Sequence, residues 1–203
     1  MLAARLAHYA GRDDVVVLAL PRGGVPVAFE LATELRAPLD VVSVRKLRAP
    51  SHKELALGAV AGGDVLVVND AVVAGLGLSV RDVARLARAE RSELVRRELA
   101  YRHGRPQVDI AGRTVILVDD GLATGASMKA AAAAARERRP ARIMVAVPVA
   151  VSETCEDLRR EVDEVVCMLM PEPFFSVGSW YENFEQTTDA EVRQLLDLTV
   201  EER

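Results

Sequence analysis

The chain has 203 residues and a formal net charge of −4 at neutral pH, and 50% of its residues are hydrophobic. This length accommodates one sizeable α/β domain, and the acidic balance argues against a nucleic-acid partner. The apolar runs are too short to span a bilayer, and the first segment lacks the apolar centre of a signal peptide. The two cysteines have no metal-type spacing, so we expect reduced thiols in a cytoplasmic protein without a membrane partner.

Apolar runs and helical periodicity alternate along the chain, which predicts an α/β fold with a mostly parallel central sheet and helices on both faces. No repeat or linker marks a boundary, so residues 1–203 are expected to form a single domain with a core at about 13–170. In chain order the predicted elements are helix 2–10, strand 15–20, helix 25–35, strand 39–44, a polar stretch with short β-like pieces at 47–63 followed by the run DVLVVN at 64–69, helix 81–101, strand 113–119, helix 127–139, strand 142–149, helix 152–162, strand 164–168 and helix 189–199.

The stretch TVILVDDGLATGAS, residues 114–127, joins a predicted buried strand to a predicted helix. Ligands of open α/β sheets bind beyond the carboxyl ends of the strands, which is where Asp119 and Asp120 are placed. The small residues after them let backbone N–H groups approach a ligand. The hydroxyl groups of Thr124 and Ser127 add donors beside the positive end of the helix. The stretch therefore predicts a phosphate cradle.

The two aspartates carry a second part of the prediction. They would repel a phosphate bound at the same point, and they are better suited to hydroxyl groups or to a hard cation one step away. A ligand with a phosphate at one end and a diol in the middle satisfies both halves, so a sugar phosphate is expected. The alternative is a plain strand-to-helix turn whose acidic residues cap the helix and face water.

Across its whole length, VILVDDGLATGAS resembles the signature of the type I phosphoribosyltransferases, which bind 5-phosphoribosyl 1-pyrophosphate (PRPP). LALPRGGVPVA, residues 18–28, resembles the family's pyrophosphate loop. VVSVRK, residues 41–46, resembles its second strand, followed by a mobile lid at about 46–70. The whole chain is similar to a subgroup known in general terms as predicted phosphoribosyltransferases. The resemblance implies a Rossmann-like core with a small C-terminal hood at about 171–187, together with the last helix.

This resemblance also implies an activity, which is the Mg²⁺-dependent transfer of the 5-phosphoribosyl group from PRPP to a nitrogen of an acceptor, with release of pyrophosphate. Asp119 and Asp120 would hold the ribose hydroxyls, and they would be the protein ligands of a Mg²⁺ ion that is bound mainly by ligand oxygens and water. Catalysis would depend on these two aspartates and on Arg22. A non-proline cis peptide would fall at Pro21–Arg22 or Arg22–Gly23. The implied PRPP-binding set is Arg22, Gly23, Gly24, Arg45, Lys46, Asp119, Asp120, Ala123, Thr124, Gly125, Ala126 and Ser127.

The basic residues of this set have simpler readings as well. Arg22 could be a solvated turn residue, although two glycines and a helix behind it favour anion binding. The resemblance implies that Arg45 and Lys46 lie near the pyrophosphate or a neighbouring subunit's site, and the simpler reading is that they end a strand in water.

Five of the eight aromatic residues lie between positions 174 and 184. Flat rings stack on bases, so Trp180, Tyr181 and Phe184 are candidates for the acceptor pocket and a nucleobase is the expected acceptor. The alternative is an aromatic cluster that seals the core or forms a dimer contact. Ala123 stands where the hypoxanthine/guanine branch of the family has an aspartate that acts as general base, so a 6-oxopurine mechanism relying on that aspartate is not favoured.

Two other functions fit parts of the pattern. A regulator of the same fold would bind PRPP without turnover. A phosphatase or phosphotransfer protein built on the aspartate pair would also need a nucleophilic aspartate and, usually, a lysine at another strand end, and no such lysine is evident. Members of the resembled family are often dimers, so the resemblance implies a homodimer.

Overall fold

The computed structural model describes residues 2–50, 52–62 and 65–201. Short 3-10 turns, Ala7–Tyr9 and Gly178–Trp180, supplement the regular elements. The strands are β1 (Val15–Ala19), β2 (Leu39–Val41), β3 (Val44–Ala49), β4 (His52–Ala61), β5 (Leu66–Val68), β6 (Thr114–Val118), β7 (Arg142–Val149) and β8 (Glu164–Leu169). The helices are α1 (Leu2–Arg5), α2 (Gly24–Leu35), α3 (Asp70–Gly75), α4 (Val80–Tyr101), α5 (Ala126–Glu137), α6 (Ser152–Leu158) and α7 (Asp189–Glu201).

The central sheet is parallel, with strand order β2-β1-β6-β7-β8. Alternate residues of β1 serve opposite faces: Val16 and Leu18 pack with α5 and α6, whereas Val15 and Val17 pack with α2 and α7. Because both faces are covered, the strands read as unbroken apolar runs, and the predicted fold class is confirmed. Ala19 lies opposite Val118, so the loops after β1 and β6 meet at one edge of the sheet.

The predicted strand at 39–44 is wrong in its second half. The central strand β2 ends at Val41, and β3 belongs to a separate antiparallel sheet with the order β3-β4-β5. The break falls at Ser43, whose backbone N–H donates to Glu98 Oε1 at 2.9 Å instead of pairing with a strand. The run of apolar residues around Ser43 conceals this break, because buried strand and buried junction look alike in sequence.

This small sheet coincides with most of the predicted lid at about 46–70. Leu47 and Leu57 form a buried cluster with α4, whereas Ala59 and Ala61 join the cluster that contains α5. Positions 51, 63 and 64 lie outside the described residues. The segment is therefore packed between two helices, and its role as a lid stays a prediction.

Helix α5 packs against both sheets, because its small side chains allow close approach. Five alanines of its unbroken alanine run are buried, and they contact strands of the central sheet and of the small sheet. The alanine run therefore forms a helix that packs closely on both sheets. The predicted helix at 152–162 is shorter, since α6 ends at Leu158. In the part of the chain that is described, no helix is both long and apolar enough to cross a membrane.

A buried ionic network joins β2 to the end of α4. Arg102 donates from Nε to Asp40 Oδ1 at 2.7 Å and from its terminal nitrogens to Glu98 Oε2 at 3.2 Å and the Val41 carbonyl at 2.8 Å. Both acids accept further backbone N–H bonds, including that of Val108 to Asp40 at 2.9 Å. The network fixes the point at which the chain leaves the central sheet for the small sheet.

Candidate functional site

The acidic pair lies at the carboxyl end of β6, packed against the loop after β1. Asp119 Oδ1 accepts the backbone N–H of Asp120 at 2.9 Å. Side chains on the two loop glycines would collide with this pair: a Cβ on Gly23 would overlap the Asp120 carboxylate, and one on Gly24 would lie 2.8 Å from the Asp119 Cα. Glycines are therefore required here because the two loops are in direct contact, and the N-terminus of α2 lies beside the acids.

Burial raises the pKa of the Asp119 carboxyl well above its ordinary value, and the neighbouring charge of Asp120 raises it further. Burial raises the pKa of Asp120 as well, although hydrogen bonds to the pair act in the opposite direction. Two adjacent carboxylates without a cation are an unfavourable arrangement that stability alone would not select. The pair is therefore suited to a ligand that brings hydroxyl donors or positive charge.

The titration of Asp119 predicts a stability difference that depends on pH. Folding raises the pKa of Asp119. As the pH rises from about 4, this carboxyl therefore ionises in the unfolded chain before it ionises in the folded protein. The free energy of unfolding falls with pH over this range, until the pH passes the raised pKa. Asp119→Asn keeps the acceptor for Asp120 N–H without the charge. We expect this variant to be more stable than the parent at pH 7 by about 0.5–2 kcal/mol, as is common when a functional site is relieved.

Urea denaturation between pH 4 and pH 7 would measure this difference. Asp14→Asn is the control, because the hydrogen bond from Arg12 lowers the pKa of Asp14 and its loss should have the opposite sign. A difference between Asp119→Asn and the parent that does not grow with pH would contradict the interpretation.

The predicted phosphate loop connects β6 to α5. Gly125 is its turning point, with φ = 69°, a left-handed conformation that favours glycine. Ala123 and Thr124 are exposed, and α5 begins at Ala126, so free backbone N–H groups of the first helical turn face this loop. The arrangement has the form of an anion site at a helix N-terminus.

Thr154 of α6 supports the loop from below. Its hydroxyl donates to the carbonyl of Ala123 at 2.6 Å, and a Cβ on Gly125 would lie 2.6 Å from its methyl group. Sequence reasoning missed this residue, because it lies on a different helix and carries no motif. Because the Thr154 methyl group fills the space beside position 125, only glycine fits at this turn.

Thr154→Val keeps the methyl contact but removes the hydroxyl. We expect unfolding free energy to fall by about 0.5–1.5 kcal/mol, the usual net value of one hydrogen bond. Amide hydrogen exchange at 123–127 should become faster, because the loop loses its anchor. Thr154→Ser, which keeps the hydroxyl, is the control; equal exchange rates in the two variants would remove Thr154 from this role.

A cis peptide bond joins Pro21 to Arg22, which is one of the two positions predicted for it. The Arg22 guanidinium lies 3.7 Å from Asp189 Oδ1 at the start of α7, and that same oxygen accepts the Tyr101 hydroxyl at 2.8 Å. Arg22 is two-thirds buried, so it is not the freely solvated turn residue of the simpler reading. Sequence reasoning had no signal for Asp189 or Tyr101 as its neighbours.

A cleft of about 670 Å³ opens beside Arg22 and Asp120. Tyr181 and Phe184 line it with their rings 5.1 Å apart, and the Tyr181 hydroxyl donates to the Asp120 carbonyl at 2.5 Å. The raised pKa of Tyr181, caused mainly by burial, keeps this hydroxyl protonated. Trp180 is half-exposed and does not line the cleft. The hood is therefore fastened to the acidic pair through Tyr181.

The two remaining candidates lie on the small sheet. Arg45 of β3 forms an ion pair with Glu90 of α4, and Lys46, the next residue, is exposed. The contacts described above join the two glycines to the aspartates and place Arg22 beside Gly23 and Asp120, and they include neither Arg45 nor Lys46. Their contact with a phosphorylated ligand stays a prediction.

The donor set fits a limited role for a divalent cation. Among the side chains that the structure describes, no group of three from His, Cys, Asp or Glu could hold a metal ion. Asp119 and Asp120 offer two carboxylates. Mg²⁺ is usually coordinated by one or two protein carboxylates, with phosphate oxygens and water as its other ligands, so two carboxylates are enough.

The fold and this site define a class: an α/β protein whose candidate ligand site lies at the carboxyl edge of a parallel sheet, between an acidic pair and a glycine-rich loop. Within that class, the chain belongs to the phosphoribosyl transferase domain family, whose model matches residues 1–107 and 82–182. The family expected from the two loop motifs is thereby confirmed.

Relatives agree with this assignment. Two proteins of Mycobacterium tuberculosis, from strains H37Rv and CDC 1551, carry phosphoribosyl transferase in their names and are each 47% identical over 196 residues, 97% of this chain. The alignment spans 44% of those relatives, so the chain covers less than half of their length. The crystal structure of the protein TT1426 from Thermus thermophilus is 44% identical, with a TM-score of 0.81 over 96% of this chain and 92% of that one.

Proposed function

We propose that this protein transfers the 5-phosphoribosyl group from PRPP to a nitrogen atom of an acceptor the size of a nucleobase, and releases pyrophosphate. The observation that carries the proposal is the contact between the loops after β1 and β6. It packs the two glycines against the aspartate pair, and Arg22, Gly23 and Asp120 line one cleft. Family membership supports the transferase class.

The ligand would lie across the carboxyl edge of the sheet. Its 5-phosphate would occupy the loop from Ala123 to Ser127, where helix α5 supplies N–H donors and a positive dipole end. Asp119 and Asp120 would accept hydrogen bonds from the ribose hydroxyls. The pyrophosphate would lie against the loop that contains Gly23 and Gly24, beside the guanidinium of Arg22.

The reaction breaks the bond between the sugar C1 and pyrophosphate and forms a bond from C1 to the acceptor nitrogen. Positive charge would develop on the ribose ring, and negative charge on the leaving group would be stabilised by Arg22. Mg²⁺, if held by the ligand oxygens and the aspartate pair, supplies further charge neutralisation for the pyrophosphate. The remaining contribution of the protein is positioning, since the two reactants must meet in one geometry.

We further propose that the acceptor enters the cleft beside Tyr181 and Phe184, that the protein is cytoplasmic, and that it acts as a homodimer. The ring pair and the adjoining wall provide a slot for a flat molecule next to Asp120. Trp180 is assigned no part in this slot, because it does not line the cleft.

Calorimetric titration with PRPP and Mg²⁺ tests the proposal. The parent should bind PRPP only when Mg²⁺ is present, and Asp119→Asn/Asp120→Asn should lose that binding. Asp13→Asn, an exposed aspartate before β1, is the matched control and should bind as the parent does. A folded parent that binds no PRPP would overturn the proposal. Binding without pyrophosphate release for any nitrogen acceptor would leave a regulatory protein of the same fold.

A further inference from the structure

Arg22 has an ion-pair partner that lies outside the cleft. Its Nη1 atom is 3.7 Å from Asp189 Oδ1, at the first residue of α7. Arg22 is among the described residues that line the cleft, whereas Asp189 and Tyr101, which donates to it, are not. A ligand in the cleft can therefore contact the guanidinium without contacting the carboxylate that pairs with it.

The separation within this pair leaves the guanidinium able to donate. A nitrogen and an oxygen 3.7 Å apart attract each other as charges, but they are beyond ordinary hydrogen-bond distance. In the part of the chain that the structure describes, the Arg22 side chain donates no hydrogen bond to another residue. Its five N–H groups suit an anion with several oxygens. The pair thus restrains the positive charge while the N–H donors stay available to a ligand.

Tyr101 keeps the carboxylate of Asp189 in place. The Tyr101 hydroxyl donates to Asp189 Oδ1 at 2.8 Å, and the ring is buried in the core cluster that includes residues of α2 and α7. Burial raises the pKa of Tyr101 to about 12, so this hydroxyl is a donor at neutral pH. Asp189 is therefore fastened to the core, although its side chain is 47% exposed.

The start of α7 does not need Asp189 as its cap. The Glu191 N–H donates to Thr188 Oγ1 at 3.2 Å, and the Thr188 N–H donates to Glu191 Oε2 at 2.6 Å. This reciprocal pair is a capping box, which satisfies the first turn of the helix without Asp189. A favourable interaction of the Asp189 carboxylate with the helix dipole remains, and an experiment has to separate that role from one at Arg22.

We infer that Asp189 is a positioning residue for Arg22: it restrains the guanidinium where the pyrophosphate of PRPP is proposed to bind, and Tyr101 keeps Asp189 in position. The inference rests on the proposed function, because Arg22 meets a pyrophosphate only in that reaction. Asp189 lies beyond residue 182, where the match to the family model ends, so the family assignment gives it no role. Restraining a charged donor before the ligand arrives lowers the cost of ordering it on binding.

A double-mutant cycle on PRPP binding tests the inference. Affinity would be measured by calorimetry with PRPP and Mg²⁺ for the parent, Asp189→Asn, Arg22→Met and the double variant. Asparagine keeps the size of the side chain and an oxygen for the Tyr101 hydroxyl, so it removes only the charge. Asp189→Asn should weaken PRPP binding about fivefold when Arg22 is present, and should change it by less than about twofold when position 22 is methionine.

A conservative variant and a matched control complete the experiment. Asp189→Glu restores the charge, so it should recover most of the binding that Asp189→Asn loses. Asp197→Asn is the control: Asp197 lies on the same helix, pairs with Arg105 at 2.7 Å, is 42% exposed and does not line the cleft. It should bind PRPP as the parent does. Thermal melts of the two asparagine variants should be alike, because half-exposed ion pairs contribute little to stability.

The outcomes separate the inference from the proposed function. If the parent binds PRPP and Asp189→Asn binds it equally well or more tightly, the inference is overturned and the phosphoribosyl site stands. An equal loss with and without Arg22, or an Asp189→Glu variant as weak as Asp189→Asn, would also overturn it, because Asp189 would then not act through Arg22. If the parent binds no PRPP, the proposed function fails, and the inference fails with it.

Discussion

Arg102→Met is expected to lower the free energy of unfolding by about 3–5 kcal/mol, because it removes one partner from a buried ionic network. Arg102 is buried and holds the carboxylates of Asp40 and Glu98 together with the Val41 carbonyl. Methionine donates nothing, so two buried acids would lose the guanidinium that offsets and hydrogen-bonds them. Urea denaturation, followed by circular dichroism, measures the loss.

Arg142→Met is the control for this prediction. Arg142 pairs with Glu164 at 2.9 Å, a distance comparable to that of Arg102 and Asp40, but its side chain is 44% exposed. An exposed pair of this kind contributes about 0–1 kcal/mol. Similar losses in the two variants would show that burial does not determine the effect, and would contradict the assignment of a structural role to the network.

Gly23→Ala is expected to weaken PRPP binding by about 100-fold, equivalent to about 2.7 kcal/mol, while leaving the fold intact. The backbone of Gly23 has φ = −59°, which alanine adopts freely, so the residue itself is not strained by the change. The new methyl group would instead overlap the Asp120 carboxylate and lie 2.8 Å from its Cγ. Asp120 would have to turn away, and the geometry proposed for ribose binding would be lost.

Calorimetry with PRPP and Mg²⁺ and a thermal melt would be made on the same sample of Gly23→Ala. Gly75→Ala is the matched control, because a Cβ there meets nothing within 4 Å and both binding and stability should stay as in the parent. Binding by Gly23→Ala at the strength of the parent would mean that Asp120 is not held in the position that the ligand needs. A large loss of stability would place the effect in the fold instead.

The parts of the fold that could be predicted from the sequence are those marked by a pattern of neighbouring residues. The strands of the central sheet are covered on both faces, so each is a continuous apolar run, and α5 is recognisable from its alanines. The candidate site was predictable where the motif is contiguous: Asp119 and Asp120 follow β6 directly, and Arg22 follows β1. Contiguous residues on one strand-to-helix connection stay together in any fold that forms the strand.

Other features depend on residues that meet only after folding. The departure of the chain from the central sheet at Ser43 is fixed by Glu98, which lies on α4, and no local signal marks it. Thr154 reaches Ala123 from another helix, and Tyr181 reaches Asp120 from the hood. Arg45 pairs with Glu90 of α4, a partner that no local signal indicates. Pairings over such separations are set by the topology.

The strand order has a consequence for synthesis of the chain on the ribosome. β1 pairs with β2 on one edge, but its other edge stays unpaired until β6, which ends at Val118, has been synthesised. At the usual rate of translation, roughly 4–15 s separate completion of β2 from completion of β6. During that interval the nascent chain carries an unpaired, wholly apolar strand edge that could join a neighbouring nascent chain. The small sheet and α4, which pack against each other, are completed in the same interval, so they can begin to fold while the second edge of β1 is still unpaired.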